Sequence, residues 1–137
     1  MTDHDLDIFA RTLYGEARGE YAQDGLAPLI AVANVIMNRF KKGGKYGQTV
    51  REVCLKPRQF SCWNLDDPNR SLIQQEDLKK NFLFKICHEA AQKVAEEAWP
   101  DLTRESDHYH AISCRPSWAR TEKIRLRLGH HVFYKLD

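Results

Sequence analysis

The sequence predicts an α+β fold, a mostly helical core with a small antiparallel sheet drawn from the C-terminal third. Three observations carry this. Apolar residues recur at helical spacing as far as Ala98, beginning with the stripe Leu6, Phe9, Leu13 and Ala17. The character changes after Pro100, where His108-Tyr109-His110-Ala111-Ile112 reads as a short strand. Ile124-Arg125-Leu126-Arg127-Leu128 then alternates strictly, Gly129 offers a turn, and His131-Val132-Phe133-Tyr134 returns as a further strand.

In chain order, the first helix is predicted from Asp3 or Asp5 to Ala17, with Gly19 ending it. Asp24 or Gly25 suits the cap of a second helix, with Pro28 in its first turn, where a missing N–H costs little. Leu26, Leu29, Ile30, Ala33, Ile36, Met37 and Phe40 share one face of it, with Val32 and Val35 alongside, which predicts the central buried helix. Asn34 and Asn38 are four apart and form a polar strip suited to bonding neighbouring loops. Gly43-Gly44 and Gly47 mark an exposed loop, and Lys41, Lys42 and Lys45 around them read as a solvated cluster. Thr49 and Glu52 have the spacing of a capping box for a short helix, Val50 to Leu55. An irregular segment, Lys56 to Arg70, carries Phe60 and Trp63, and aromatics in so long a loop pack beneath it or bind something. Two more helices are predicted over Ser71–Lys80 and Leu83–Ala98, the second stopped by Pro100.

A length of 137 residues predicts a single domain, 1–137, with a full core. Hydrophobic and charged contents of 42% and 29% are ordinary for a globular protein. A net charge of +2 gives no basis for nucleic-acid binding. No stretch approaches the roughly 20 apolar residues of a membrane span, so no membrane insertion is expected. The acidic start, Met1-Thr2-Asp3-His4-Asp5, lacks the features of a secretory signal, and the expectation is a chain made in the cytoplasm. Cys54, Cys62, Cys87 and Cys114 show no CxxC pairing. Three disulfide connectivities stay open, with free thiols the default in a reducing compartment.

The most informative run is Tyr14-Gly15-Glu16-Ala17-Arg18-Gly19-Glu20. Glu16 lies seven residues past Phe9 and three past Leu13, so the spacing points it along the apolar stripe. A carboxylate there is desolvated, which raises its pKa and suits it to donate a proton. The competing reading is a Glu at a helix end, bonded to Arg18 or to a backbone amide.

Together with Ala31-Val32-Ala33-Asn34-Val35-Ile36-Met37-Asn38-Arg39, this run resembles the opening of the SleB/CwlJ-type cell wall hydrolases. Further blocks fit in the same order: Thr49-Val50-Arg51-Glu52-Val53-Cys54, Gln59-Phe60-Ser61-Cys62-Trp63, and Ser106-Asp107-His108-Tyr109-His110-Ala111 with Ser117-Trp118-Ala119-Arg120. Leu128-Gly129-His130-His131-Val132-Phe133-Tyr134 is similar to the family's closing strand. The resemblance implies a lysozyme-like helical core that cuts the glycan strands of peptidoglycan, with one essential glutamate matching Glu16 and no metal or other cofactor. The absence of a signal peptide and of a wall-binding repeat points, within that resemblance, to a compact phage endolysin that reaches the wall after holin-type release.

Cleaving a glycosidic bond requires a proton for the departing oxygen and stabilisation of an oxocarbenium-like centre. A conventional glycosidase places two carboxyls about 5–9.5 Å apart. Glu20 could join Glu16 only if the helix runs on through Gly19. A lytic transglycosylase needs one carboxyl, because the muramic 6-hydroxyl is its nucleophile. The expectation is therefore Glu16 as general acid then base at the MurNAc–GlcNAc bond, with Glu20 a helper or a structural ion-pair partner. Phe60, Trp63, Tyr109 and Trp118 are candidates to stack on sugar rings, with core packing as the competing reading, strongest for Phe60. Gln59, Ser61 and His110 are candidates to bond the acetamido groups. Two rivals remain. His108 and His110 with His130 or His131 could hold zinc in an amidase or peptidase of the stem peptide. A non-catalytic wall-binding module would need the aromatic groove but no constrained acid. The enzyme is expected to act as a monomer.

Overall fold

The computed structural model describes residues 1–137 as six α-helices, several 3-10 turns and three strands. Helix α1, Asp3–Ala17, opens on a capping box. The Thr2 hydroxyl accepts from the Asp5 amide at 3.0 Å, and the Asp5 carboxylate accepts from the Thr2 amide at 3.0 Å. Phe9, Ala10, Leu13 and Ala17 are buried along its inner face. The chain then tightens into a 3-10 turn, Arg18–Glu20, and runs on as α2, Tyr21–Asp24. Helix α1 thus ends at Ala17, as predicted, and the turn through Gly19 is a separate, tighter one. Gly25, at φ +69°, closes α2, so neither it nor Asp24 caps the next helix.

Helix α3, Ala27–Lys42, carries Pro28 in its first turn as predicted. It is buried on two sides. Leu29, Val32, Ala33, Ile36 and Met37 join the main core, while Ala31 and Val35 pack against Phe133 of the sheet. Leu26, placed on the apolar face by spacing, is exposed at its start. Asn34 and Asn38 both hold the loop that follows α6: Asn34 Oδ1 accepts from the Leu102 amide at 3.0 Å, and Asn38 Nδ2 donates to Asp101 at 2.9 Å. The three lysines of the glycine loop are exposed, as predicted, and each also has an acidic partner, Lys41 with Glu97, Lys42 with Asp107 and Lys45 with Asp137. In α4, Val50–Leu55, Thr49 accepts from the Glu52 amide as a cap, but the Glu52 carboxylate reaches the amide of Gln48 instead of Thr49.

The helix predicted over Ser71–Lys80 is two pieces, α5 (Asn69–Ile73) and a 3-10 turn (Glu76–Lys80). The break has a cause. Buried Arg11 donates to the Ile73 and Gln75 carbonyls, both at 2.8 Å, removing acceptors that a continuous helix would use internally. Helix α6, Phe82–Ala95, is capped by Asn81 and ends before Ala98, because Glu97 adopts φ +59°.

Strands β1 (His108–Ala111), β2 (Ile124–Leu128) and β3 (His131–Tyr134) form an antiparallel sheet in the order β1-β3-β2. Every residue of β3 is buried. Ile112 falls outside β1 and is exposed. Gly129 makes the β2–β3 turn at φ +58°, and a Cβ there would lie 2.4 Å from Glu20 Oε1, so both conformation and space require glycine.

Asp107 fastens the sheet to α3 and to the segment after β3. Its fully buried carboxylate accepts from Lys42 Nζ (2.7 Å), His108 Nδ1 (2.8 Å), and the Leu136 and Asp137 amides (2.8 and 2.9 Å). Burial works to raise its pKa, but these donors outweigh it and hold the carboxyl well below the usual range. All four cysteines are free, and burial pushes the Cys54 and Cys87 thiols up to about 12, which leaves them inert at neutral pH.

Candidate active site

The last turn of α1, the 59–61 segment and the edge of β1 enclose an open cleft of about 420 Å³. Glu16 is the one carboxylate among its lining residues. The local sequence explains its setting. A Cβ on Gly15 would lie 2.7 Å from Cys62 Cβ and 2.8 Å from its sulfur, so glycine lets the 61–63 turn close onto α1. That approach brings the Cys62 amide to 3.1 Å from Glu16 Oε2, with the Ser61 hydroxyl at 3.5 Å. From the other side the Tyr109 hydroxyl donates to Glu16 Oε1 at 2.5 Å. Burial first, and the Glu16 carboxylate next, raise the Tyr109 phenol well above its ordinary pKa, so it keeps its proton and remains a donor.

The setting differs from the apolar face predicted for Glu16. The carboxylate is half-buried and faces hydrogen-bond donors, because the loop and β1 supply polar groups that helical spacing does not show. Arg18 is not its partner either. Its guanidinium donates to Asn69 Oδ1 at 2.7 Å and to the Tyr14 carbonyl at 3.0 Å, fixing Asn69 on the cleft rim.

Of the other predicted residues, Gln59, Ser61, Tyr109 and His110 line the same cleft. Gln59 accepts from Arg39 Nη1 at 3.0 Å. Buried Arg39 also donates to the Asp107 carbonyl and lies over the Phe60 ring at 5.1 Å. Phe60 is thereby a core residue, 2% exposed, and offers no stacking face. Trp63 turns to the opposite side of its loop, where its indole donates to Thr12 at 2.9 Å beside Ile8 and Leu55. Trp118 packs edge-on against His108, His110 and Tyr134 and is not among the residues that line the cleft. Glu20 is buried outside the cleft lining, accepting from the His130 amide at 2.6 Å and lying 2.7 Å from His131 Nδ1. It therefore sits against a histidine and not beside Glu16 in the cleft.

Sequence reasoning missed Arg39, Arg58, Asn69 and, as a cleft residue, His131. For Arg39 a signal existed, a cation within the apolar pattern of α3. For Arg58 and Asn69 none did. The histidines do not converge on a zinc site. His108 Nδ1 bonds Asp107, His110 is engaged through both nitrogens by the Ala111 carbonyl and the Tyr134 hydroxyl, and His131 meets Glu20. The cluster Asp107, His108 and Asp137 has suitable donor atoms, but Asp107 is already saturated by four donors.

A helical domain with a small antiparallel sheet and a carboxylate cleft between them defines the class. The chain belongs to the cell wall hydrolase family, whose model matches residues 24–134. It is 26% identical over 134 residues to a spore cortex-lytic enzyme of Bacillus cereus, covering 98% of this chain but 45% of that protein. The chain thus spans under half the length of the curated relatives it matches. Among solved structures it resembles the catalytic domain of the germination-specific lytic transglycosylase SleB from Bacillus anthracis, with TM-score 0.72 and 26% identity, covering 98% of this chain and 97% of that one. The catalytic domain of the Bacillus cereus SleB protein shares the fold at TM-score 0.67 and 24% identity, covering 98% of this chain and 91% of that one.

Proposed function

We propose that this chain is a single catalytic domain that cleaves the MurNAc–GlcNAc bond of peptidoglycan glycan strands as a lytic transglycosylase, with Glu16 as general acid and then base. The observation that carries the reading is the solitary carboxylate of the cleft. Glu16 has no second carboxylate beside it to activate water, and the one-carboxyl route needs none. In the first half of the reaction Glu16 protonates the departing glycosidic oxygen as the C1–O4 bond breaks. In the second it takes the proton of the muramic 6-hydroxyl as the C1–O6 bond forms, which returns it to its starting state. The Cys62 amide and the Tyr109 hydroxyl fix the carboxyl group throughout. In this reading Gln59 and Ser61 bond the sugars, Arg58 and Asn69 extend that rim, and His110, with both nitrogens engaged within the protein, shapes the wall beside them.

The test is the chemistry of the product. Purified sacculi digested with the protein should release muropeptides ending in 1,6-anhydromuramic acid, lighter by one water than hydrolysed ends and inert to borohydride. Only reducible muramic ends would replace this reading with a hydrolytic, muramidase one. Release of free stem peptides would replace it with an amidase. Binding of sacculi without any release would leave a wall-binding module. An endolysin acting as a monomer, made in the cytoplasm and reaching the wall through a holin, is the setting we attach to this activity. Its check is whether lysis of expressing cells requires holin co-expression, with light scattering for the oligomeric state.

A further inference from the structure

Beside Glu16 lies a second pair of titratable groups that the one-carboxyl scheme does not use. Glu20 is 7% exposed, and its Oε2 sits 2.7 Å from His131 Nδ1. Both atoms are sealed from solvent, each is the other's one close polar neighbour, and the contact between them is not aligned as a hydrogen bond. Two bare acceptors cannot stay that close in a buried site, so one of the two groups carries a proton. The carboxylate is aimed from behind: its other oxygen accepts the His130 amide at 2.6 Å, and the missing side chain of Gly129 leaves it room. The imidazole is braced edge-on by Tyr109 at 5.0 Å and by Phe133 at 6.1 Å. Nδ1 is therefore the inward nitrogen. Nε2 makes no bond within the protein and is not sealed off, and the space His131 opens onto is the Glu16 cleft. A carboxylate holding one ring nitrogen while the other stays open is the arrangement that fixes a histidine tautomer.

We propose that the Glu20–His131 pair is a hydroxyl-binding element of the cleft, in which Glu20 keeps the proton on Nδ1 and the bare Nε2 accepts an O–H from the sugar seated against Glu16. The inference rests on the glycan reading above and adds a substrate contact to it. Its chemistry complements the rest of the rim, where Arg58 and Ser61 are donors and a sugar hydroxyl needs an acceptor. The charge state of the ring agrees. Burial lowers the His131 pKa, His130 and His110 add to that, and Glu20 and Glu16 oppose it. The ring is neutral at neutral pH, and acidification would protonate Nε2 and turn the acceptor into a donor.

The experiment uses the Glu16→Gln protein, which should hold a soluble glycan tetrasaccharide without cutting it, and reads affinity by calorimetry across pH. Adding His131→Phe should weaken binding at least tenfold. Adding His131→Gln, whose amide oxygen reaches the place of Nε2, should recover most of it. Binding by the Glu16→Gln protein should fall as pH drops through the His131 range. Glu20→Gln, by removing an anion that favours the protonated ring, should move that fall to lower pH. Undiminished binding by a folded His131→Phe protein would overturn the inference and leave the glycan reading standing. Equal losses from Phe and Gln with an unmoved pH dependence would reduce His131 to a packing residue. No glycan binding by any variant would overturn both.

Discussion

The two carboxylates that organise this molecule, Glu16 and Asp107, are held in opposite ways. Asp107 has no exposed surface and fills its acceptor positions with an ammonium, an imidazole and two backbone amides drawn from three parts of the chain. Glu16 is half-buried, takes one close donor on each oxygen from Cys62 and Tyr109, and keeps the remaining positions open to a cleft. A saturated carboxylate is a fastener, because any proton or ligand it accepted would have to displace a donor already in place. An unsaturated one in an open site is free to exchange a proton. The contrast separates stability from activity, and each half can be broken alone.

The largest expected effect is on the open carboxylate. Glu16→Gln should reduce glycan cleavage by about 10²–10⁴-fold, the usual range for a positioned acid–base group, with an unchanged melting curve. Cleavage at the wild-type rate by a folded Glu16→Gln protein would reject the assignment. The mirror experiment is Asp107→Ala, which strands Lys42, His108 and two amides. It should cost about 3–5 kcal/mol of stability, as loss of one partner of a buried ion pair does, while molecules that remain folded keep their cleavage rate. Its pH signature follows from sign. The folded state holds the Asp107 carboxyl below its unfolded value, so its stabilisation is full above about pH 4 and is lost as pH falls further. The wild-type melting temperature should therefore drop below pH 4, and the Asp107→Ala protein should show a shallower drop in that window.

A smaller loss is expected at the turn. Gly129→Ala puts a methyl 2.4 Å from Glu20 Oε1 at a positive φ, and thermal melts should register about 1–3 kcal/mol of destabilisation. The smallest effect sharpens the comparison at its open end. Tyr109→Phe removes one of the two close donors to Glu16 but keeps the ring that packs near Phe133. It should slow cleavage about tenfold, equivalent to a hydrogen bond of about 1.4 kcal/mol, and shift the melting temperature little. A stability loss as large as that of Asp107→Ala would mean that Tyr109 is a fastener as well.

Local pattern made α1, α3, α4 and the Gly129 hairpin legible, because each is written in neighbouring residues: a helical stripe, a proline in the first turn, a Thr–Glu cap, a strict alternation. Glu16, Gln59, Ser61, Tyr109 and His110 were legible as a group through the family's motifs, and the cleft does gather them. What stayed hidden depends on contacts across the chain. The break after α5 is made by Arg11, more than sixty residues away, and the turning of Trp63 by a bond to Thr12. The polar surroundings of Glu16 come from residues 45 and 93 positions distant, which no periodicity within α1 could report.

The strand order carries a consequence for how the chain reaches its working form. β3 is last in sequence yet central in the sheet, and β1 pairs with nothing else. β1 carries Tyr109, and β3 carries His131, opposite Ala111. During synthesis the helices can collapse onto one another as they emerge, but Tyr109 has no strand to lie against until residues 131–134 leave the ribosome. The sheet side of the cleft is thus assembled last, and a nascent or truncated chain carries its Glu16 with the Cys62 amide but without Tyr109 set against it.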